Sequence, residues 1–501
     1  MLSITYTAAM TGLTPTKIEV EVDCTRGRPA FIFIGLPNKA VDEAKERITS
    51  ALVNCGIRIR AQKTVVNLAP ADVKKTSSAV ELAIAVSLLR AYGEIKIDSD
   101  ETIFFGELSL DGHIKPIRGA LPLVIAAQEM GFKNVVFPVG NKDEVSLISG
   151  INLYPIEHLR DLINWARGEG ALVRVVPQSF IDREGVGSDL DFADICGQTQ
   201  AKRALEIAAA GGHNVLLVGP PGAGKSMMAK AMISILPPLI QQEAIDVTRI
   251  YSICGLTGGE LVRNRPFRSP HHTTSQVGLI GGGSNLLPGE ISLSHRGILF
   301  LDEFPEFSRS SLEALRQPLE DGVISISRAI GKVIYPAQFS LVAAANPCPC
   351  GNKDSTIKAC ICSLYMLERY QKKLSGPILD RLDMVIKVKE VEVEKLSRRK
   401  EVVEENSRVI RKRVCEARKI QEKRFGNVVY ATNSELSSKE IDNFCQLDKK
   451  ALRILKKAAY KLKLSARSYF KMILVARTIA DLEGVDKIAV EHVAEALQYR
   501  Q

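Results

Sequence analysis

An apolar stretch, Asn214–Val218, runs into Gly219-Pro220-Pro221-Gly222-Ala223-Gly224-Lys225-Ser226 and then into a helix-compatible stretch that begins Met227-Met228-Ala229-Lys230. No other feature restricts the fold as much. A strand, a glycine-rich loop and a helix in immediate succession make backbone N–H groups converge on an anion at a helix N-terminus, where the helix dipole also favours negative charge. In this pattern Lys225 is expected to reach the β- and γ-phosphates of a nucleotide, and Ser226 to ligate Mg²⁺. Strand and helix patterns alternate over residues 191–390, which predicts a parallel α/β sheet around this loop.

Two later strand ends extend the site. Gly297–Leu301 is an apolar strand that ends in Asp302 and Glu303. A buried strand delivers Asp302 beside the metal, and Glu303 then polarises an attacking water. A third strand, Phe339–Ala345, ends in Asn346, a polar side chain placed to hold that water against the γ-phosphate.

At 501 residues the chain has room for about three domains. Residues 1–170 predict a mixed α/β domain. Ile18, Val20 and Val22 alternate with polar neighbours, Phe31–Ile34 and Val65–Leu68 are short strand candidates, and Lys39–Asn54, Ser78–Tyr92 and Leu121–Met130 carry helical patterns. Hydrophobic periodicity fades over residues 171–190, which predicts a linker. From Val391 to residue 501 Gly and Pro almost vanish and charge rises, so a helical domain is expected. No apolar run reaches 18 residues, and Met1–Thr16 lacks a basic start followed by an apolar core. The expectation is a cytoplasmic protein with no membrane partner. Net charge is +10, and residues 449–480 hold ten Lys or Arg and no Asp or Glu. That run fits either a polyanion-binding surface or a solvated helix face.

Four of the ten cysteines cluster as Cys348-x-Cys350 and Cys360-x-Cys362, two pairs nine residues apart within an insertion at 346–363. Four thiolates suit structural, tetrahedral Zn²⁺, although C-x-C is a less common zinc pattern than C-x-x-C; free thiols are the alternative. The adjacent His271 and His272 converge poorly on one ion, so a structural or nucleotide-sensing role is expected of them.

Taken together, these motifs resemble the Mg-chelatase-like AAA+ ATPases of the ComM/YifB group. The matching stretches are Gly219–Ser226, Arg265–His272, Pro288–Ser292, Leu301–Phe307, Ala345–Gly351, Gly376–Asp383, Leu464–Arg467 and Val475–Asp481. The resemblance implies a homo-hexameric ring with ATP sites at subunit interfaces. Arg381, in Asp380-Arg381-Leu382-Asp383, matches the trans-acting arginine finger, and Arg467 matches the cis-acting sensor arginine of a C-terminal helical lid, with Arg477 a weaker alternative. Residues 278–292 resemble the helix-2 insert of this branch. Residues 323–327 and 332–335 resemble the two arms of its pre-sensor hairpin, turning at 328–331, with Arg328 and Lys332 facing the phosphates of DNA. Residues 18–140 resemble the ChlI-type domain, which shares the Lon-protease-like (ribosomal S5 domain 2-like) α+β fold. Ser78 sits where the peptidase serine would, but Ala120–Val124 offers no lysine base. An inert hydroxyl and an assembly or DNA-entry module are therefore expected.

The activity so implied is ATP hydrolysis by a P-loop AAA+ motor, an ATP-dependent branch-migration helicase promoting homologous recombination during natural transformation. Single-stranded or branched DNA would be its partner. A chelatase-type or protein-remodelling motor is the alternative from the same ATPase module.

Overall fold

The computed structural model describes residues 2–35, 38–70, 78–180, 190–328, 331–353, 358–374, 378–390, 404–426 and 432–500. A seven-stranded mixed sheet forms the first domain, in the order Ala30–Ile34, Lys63–Ala69, Thr14–Thr25, Leu2–Thr11, Thr102–Phe104, Asn134–Pro138, Asn152–Ile156. The alternation at Ile18, Val20 and Val22 buries all three side chains. They lie beneath the helices Asn38–Asn54 and Glu81–Ala91, and Ala120–Glu129 packs in a second apolar cluster. Sequence periodicity did not disclose the strand Leu2–Thr11, whose buried positions include the hydroxyls Ser3, Thr5 and Thr7. Two of these find partners on the helix Glu81–Ala91: Thr5 Oγ1 donates to Ala83 O at 2.9 Å, and Ser3 Oγ lies 3.2 Å from Ser87 Oγ.

The predicted linker begins later than expected. Val175 is buried and its N–H donates to Leu153 O at 2.8 Å, so the segment to Phe180 belongs to the first domain. Residues 181–189, the rest of that linker, lie outside the described residues.

The second domain holds a five-stranded sheet in the order Phe267–Arg268, Ile298–Leu301, Ser340–Ala345, Val215–Val218, Met384–Lys387, parallel throughout. Its register aligns Val218 with both Ala345 and Lys387, and Leu301 with Ala343. The strands therefore stop at one edge and start at the other. Between the second and third of these strands in sheet order, the chain inserts an antiparallel hairpin, Val323–Arg328 with Gly331–Pro336. It pairs Ser327 with Lys332 and Arg328 with Gly331, as expected, while Ala329 and Ile330 lie outside the described residues. The 278–292 segment forms a smaller ladder beside it, Gly281–Gly282 with Leu287–Pro288, and the Tyr335 hydroxyl donates to Leu286 O at 2.6 Å.

Helices Ser407–Phe425, Ser438–Phe444, Lys449–Leu462, Ala466–Leu482 and Val490–Gln498 make the third domain. Residues 391–403, where its helical pattern was expected to begin, lie outside the described residues. It docks where the parallel strands start. Asp383 accepts the Asn214 N–H at 2.7 Å and pairs with Lys471 at 2.8 Å, and His213 Nε2 meets Thr478 Oγ1 at 2.8 Å. Burial opposes ionisation of Asp383, yet Lys471 and His213 hold its carboxyl far below the usual range. Among the described residues no helix is long and apolar enough to cross a membrane.

The basic run at 449–480 is not one surface. Lys449, Lys450, Arg453, Lys456, Lys457, Lys461 and Lys463 are exposed. Lys471 is spent on Asp383. Arg477 is fully buried, bonded to Asp481 and to the carbonyls of Val485 and Asp486. That burial removes Arg477 as an alternative sensor. Asp481 also receives Arg424 and Asn433. We predict that Asp481→Ala, which leaves two arginines facing each other without their carboxylate, destabilises the fold by about 3–5 kcal/mol. Denaturant unfolding followed by circular dichroism measures it, and a loss below about 1 kcal/mol would contradict the assignment.

Candidate functional site

A parallel register brings Gly219, Asp302 and Asn346 to one sheet edge, because each follows directly on the last residue of its strand. The loop after Val218 ends in the helix Lys225–Ile235, whose first turn begins after Gly224. Gly222 and Gly224 take φ of 80° and 84°, and a Cβ on either meets no protein atom within 4 Å. The loop is thus an open cradle of amides at a helix N-terminus, as a polyphosphate requires. Lys225 Nζ donates to Gly219 O at 2.7 Å, Pro220 O at 2.8 Å and Asn346 Oδ1 at 3.1 Å. Burial lowers the affinity of that ammonium for its proton, and the Asp302 carboxylate opposes the shift. Ser226 Oγ donates to Asp302 Oδ2 at 2.7 Å. A hydroxyl and a carboxylate oxygen side by side are a hard-oxygen pair suited to Mg²⁺. The donor set fits Mg-nucleotide.

Glu303 is half-exposed, and its backbone is left-handed at φ 49°, an unusual conformation for a residue with a side chain. Its carboxylate meets His272 Nδ1 at 3.1 Å, which gives the second histidine of the Arg265–His272 motif a definite place. The His271 ring lies tilted against it, with ring centroids 4.1 Å apart. The rest of that motif is structural. Arg265 donates to Arg296 O at 2.7 Å and Glu243 at 2.8 Å, and Arg268 grips Glu290 at 2.6 and 2.7 Å, fastening the 278–292 insert to the sheet.

Arg381 and Arg467 lie together at the opposite edge. Both donate to Glu320 Oε1, Arg381 at 2.6 Å, and both line a cleft of about 700 Å³ with Asn214, Gly297 and Ser340, the residues where strands begin. Arg467 and then Arg381 hold the Glu320 carboxyl below the usual carboxylate range. Crossing from Asn214 to Gly219 takes about 15 Å of extended chain. Arg467, expected in a cis-acting role, stands beside Arg381 at the edge where the strands begin, whereas the phosphate loop follows a strand end. A sequence motif gives the residue but not the edge on which its helix docks.

Arg328 and Lys332 are exposed at the hairpin tip. The four cysteines come together, with all four sulfurs within 4.8 Å of one another. In the first domain Ser77 and the Ser78 side chain lie outside the described residues, and the helix Ala120–Glu129 places apolar Leu121, Leu123 and Val124 in the core.

Three family regions described for magnesium chelatase match in order: subunit ChlI of Mg-chelatase at residues 20–141, magnesium chelatase, subunit ChlI at 191–396, and its C-terminal region at 404–500. The competence protein ComM of Haemophilus influenzae is 41% identical over 507 residues, covering 100% of this chain and 97% of that protein. YifB of Escherichia coli is 40% identical over 502 residues, with 100% and 97% covered. A shorter similarity, 29% over 189 residues, links 38% of this chain to 19% of the DNA helicase MCM8 of Bos taurus. The chain belongs to the Mg-chelatase-like AAA+ ATPases, in the group that holds ComM and YifB.

Proposed function

We propose that this protein is an ATP-hydrolysing DNA motor that works as a hexameric ring and remodels single-stranded or branched DNA, as in branch migration during recombination. The observation that carries the reading is where the hairpin sits. Its two arms, Val323–Arg328 and Gly331–Pro336, leave the sheet between the strand that ends at Asp302–Glu303 and the strand that ends at Asn346. The hairpin's roots, Gly322 and Ala337, are joined by a hydrogen bond of 2.7 Å and line the cleft of Arg381 and Arg467, so a change at that edge acts on a hairpin tipped by Arg328 and Lys332. The similarity to a competence protein and to a DNA helicase favours DNA over protein as the substrate. The exposed basic helix Lys449–Leu462 supplies a second surface for phosphates.

In this reading Lys225 neutralises the β- and γ-phosphates, Ser226 and Asp302 would hold Mg²⁺, and the backbone N–H groups of Gly222 to Lys225 cradle the phosphate chain. Mg²⁺ supplies charge neutralisation at the transferring phosphoryl group. Glu303 takes the proton of the attacking water, Asn346 orients that water, and His272 holds the carboxylate until it is needed. Arg381 and Arg467 face a neighbouring subunit, where a guanidinium stabilises charge that develops in the transition state. Glu320 keeps the two side chains together as a pair.

Glu303→Gln should lower kcat for ATP at least about a hundredfold while ATP still binds, since only the proton acceptor is lost. Lys225→Ala should instead weaken binding itself. Equal turnover by Glu303→Gln and the unaltered protein would contradict the site.

Forked or four-way DNA should stimulate ATP turnover and be resolved in an ATP-dependent way, with affinity falling steeply as salt rises. Arg328→Ala with Lys332→Ala should reduce remodelling more than binding, because a pore admits few contacts. Robust turnover that no DNA structure stimulates, with no DNA remodelled at any salt, would overturn the DNA reading in favour of protein remodelling.

A further inference from the structure

Cys348 and Cys350 follow the strand that ends in Asn346, and Cys360 and Cys362 precede the helix Leu364–Leu374. The sulfurs of Cys348, Cys350 and Cys360 stand 3.4, 3.7 and 3.6 Å apart pairwise, and all four cysteines are free thiols. A tetrahedral zinc with bonds of about 2.3 Å places its sulfurs about 3.8 Å apart, so the spacing is that of a four-sulfur cage and not of disulfides. Backbone amides point at the sulfurs as well: those of Asn352 and Ile361 at Cys350, and that of Lys353 at Cys348.

The position of the cage gives it a task. Asn346, two residues before the first cysteine, accepts from Lys225 through its side chain and from the Tyr370 hydroxyl, at 3.0 Å, through its carbonyl. Tyr370 lies on the helix that follows the last cysteine. Gly351, in the turn between the first pair and the second, has φ +82°, and a Cβ there would lie 2.6 Å from Pro221 Cδ of the phosphate loop. The cysteine turn thus lies close against the phosphate loop, and the helix that follows it holds the Asn346 carbonyl. Few apolar contacts hold the segment, since Ile361, Leu364 and Tyr365 are 86%, 80% and 72% exposed.

We propose that Cys348, Cys350, Cys360 and Cys362 bind one Zn²⁺ per chain, and that this zinc is a brace that holds Asn346 against Lys225 and seats the phosphate loop. The metal half of the proposal stands alone; the brace half rests on the reading of Asn346 as the residue that orients the attacking water. Zinc would therefore control turnover without touching nucleotide. A displacement of Asn346 by about 1 Å costs on the order of a hundredfold in rate.

The test uses the full chain purified without a histidine tag. Elemental analysis should give about one zinc per chain, and cobalt substitution should give the intense absorption of a tetrahedral tetrathiolate site. Cys360→Ser with Cys362→Ser should lose the metal and lower kcat at least about tenfold, while circular dichroism confirms the fold. Tyr370→Phe keeps every thiol, so it should retain zinc and still lower kcat. No zinc, with four freely titrating thiols under reducing conditions, would overturn the metal site. Zinc present, with full turnover after its loss in the folded double variant, would overturn the brace. Zinc with no turnover in the unaltered protein would sink the ATPase reading, and the brace with it, while leaving the metal site standing.

Discussion

The parallel register of five short strands is the constraint on which everything else depends. Because Val215–Val218, Ile298–Leu301 and Ser340–Ala345 run the same way, the residues that follow them meet at one edge and the residues that precede them at the other. The phosphate loop, two carboxylates and an asparagine gather at the first edge. Asn214, Asp383 and Lys471 lock the second edge to the helical domain. Had one strand been reversed, Asp302 or Asn346 would sit the length of a strand away from Ser226 and Lys225. The chemistry is fixed by topology before any side chain is chosen.

That same polarity divides the machinery. A single chain presents its phosphate cradle at one edge and its two candidate arginines, joined through Glu320, at the other. A ring in which each subunit offers the second edge to its neighbour's first edge reunites them. The first domain joins the same framework. Glu144 accepts the Leu121 N–H at 3.0 Å and also bonds Ser252, and Gly119 N–H donates to Ser252 O at 3.1 Å. Leu13, in the turn of its first hairpin, packs into the apolar cluster that holds Val333 and Tyr335 of the basic-tipped hairpin. Through these contacts the first domain touches the basic-tipped hairpin directly.

Much of this was legible in the sequence, for identifiable reasons. Gly219–Ser226 and Asp302–Glu303 are short-range patterns whose chemistry depends on neighbours in the chain, so they can be read directly. The hairpin at 323–336 was legible because alternation and a turn lie within 14 residues. What escaped depends on long-range docking. The strand Leu2–Thr11 faces the interior partly with hydroxyls that find partners on Ala83 and Ser87, so its periodicity carries no apolar signal. Arg467 and Arg477 lie ten residues apart on one helix, yet one pairs at a cleft rim and the other is wholly buried. Charge counting could not separate them, just as it merged Lys471 with the exposed lysines of the helix before it. The pairing of His272 with Glu303 was foreshadowed only as a sensing role, since its partner lies 31 residues on.

Mixing two inactive variants tests whether the site is divided between subunits, as proposed. Arg381→Ala keeps an intact phosphate cradle, and Lys225→Ala keeps an intact arginine. When the two are combined, some interfaces pair a whole cradle with a whole arginine. ATP turnover, absent from each variant alone, is expected to reappear in the mixture. Mixed rings that form, as native mass spectrometry would show, and yet stay inactive would contradict it.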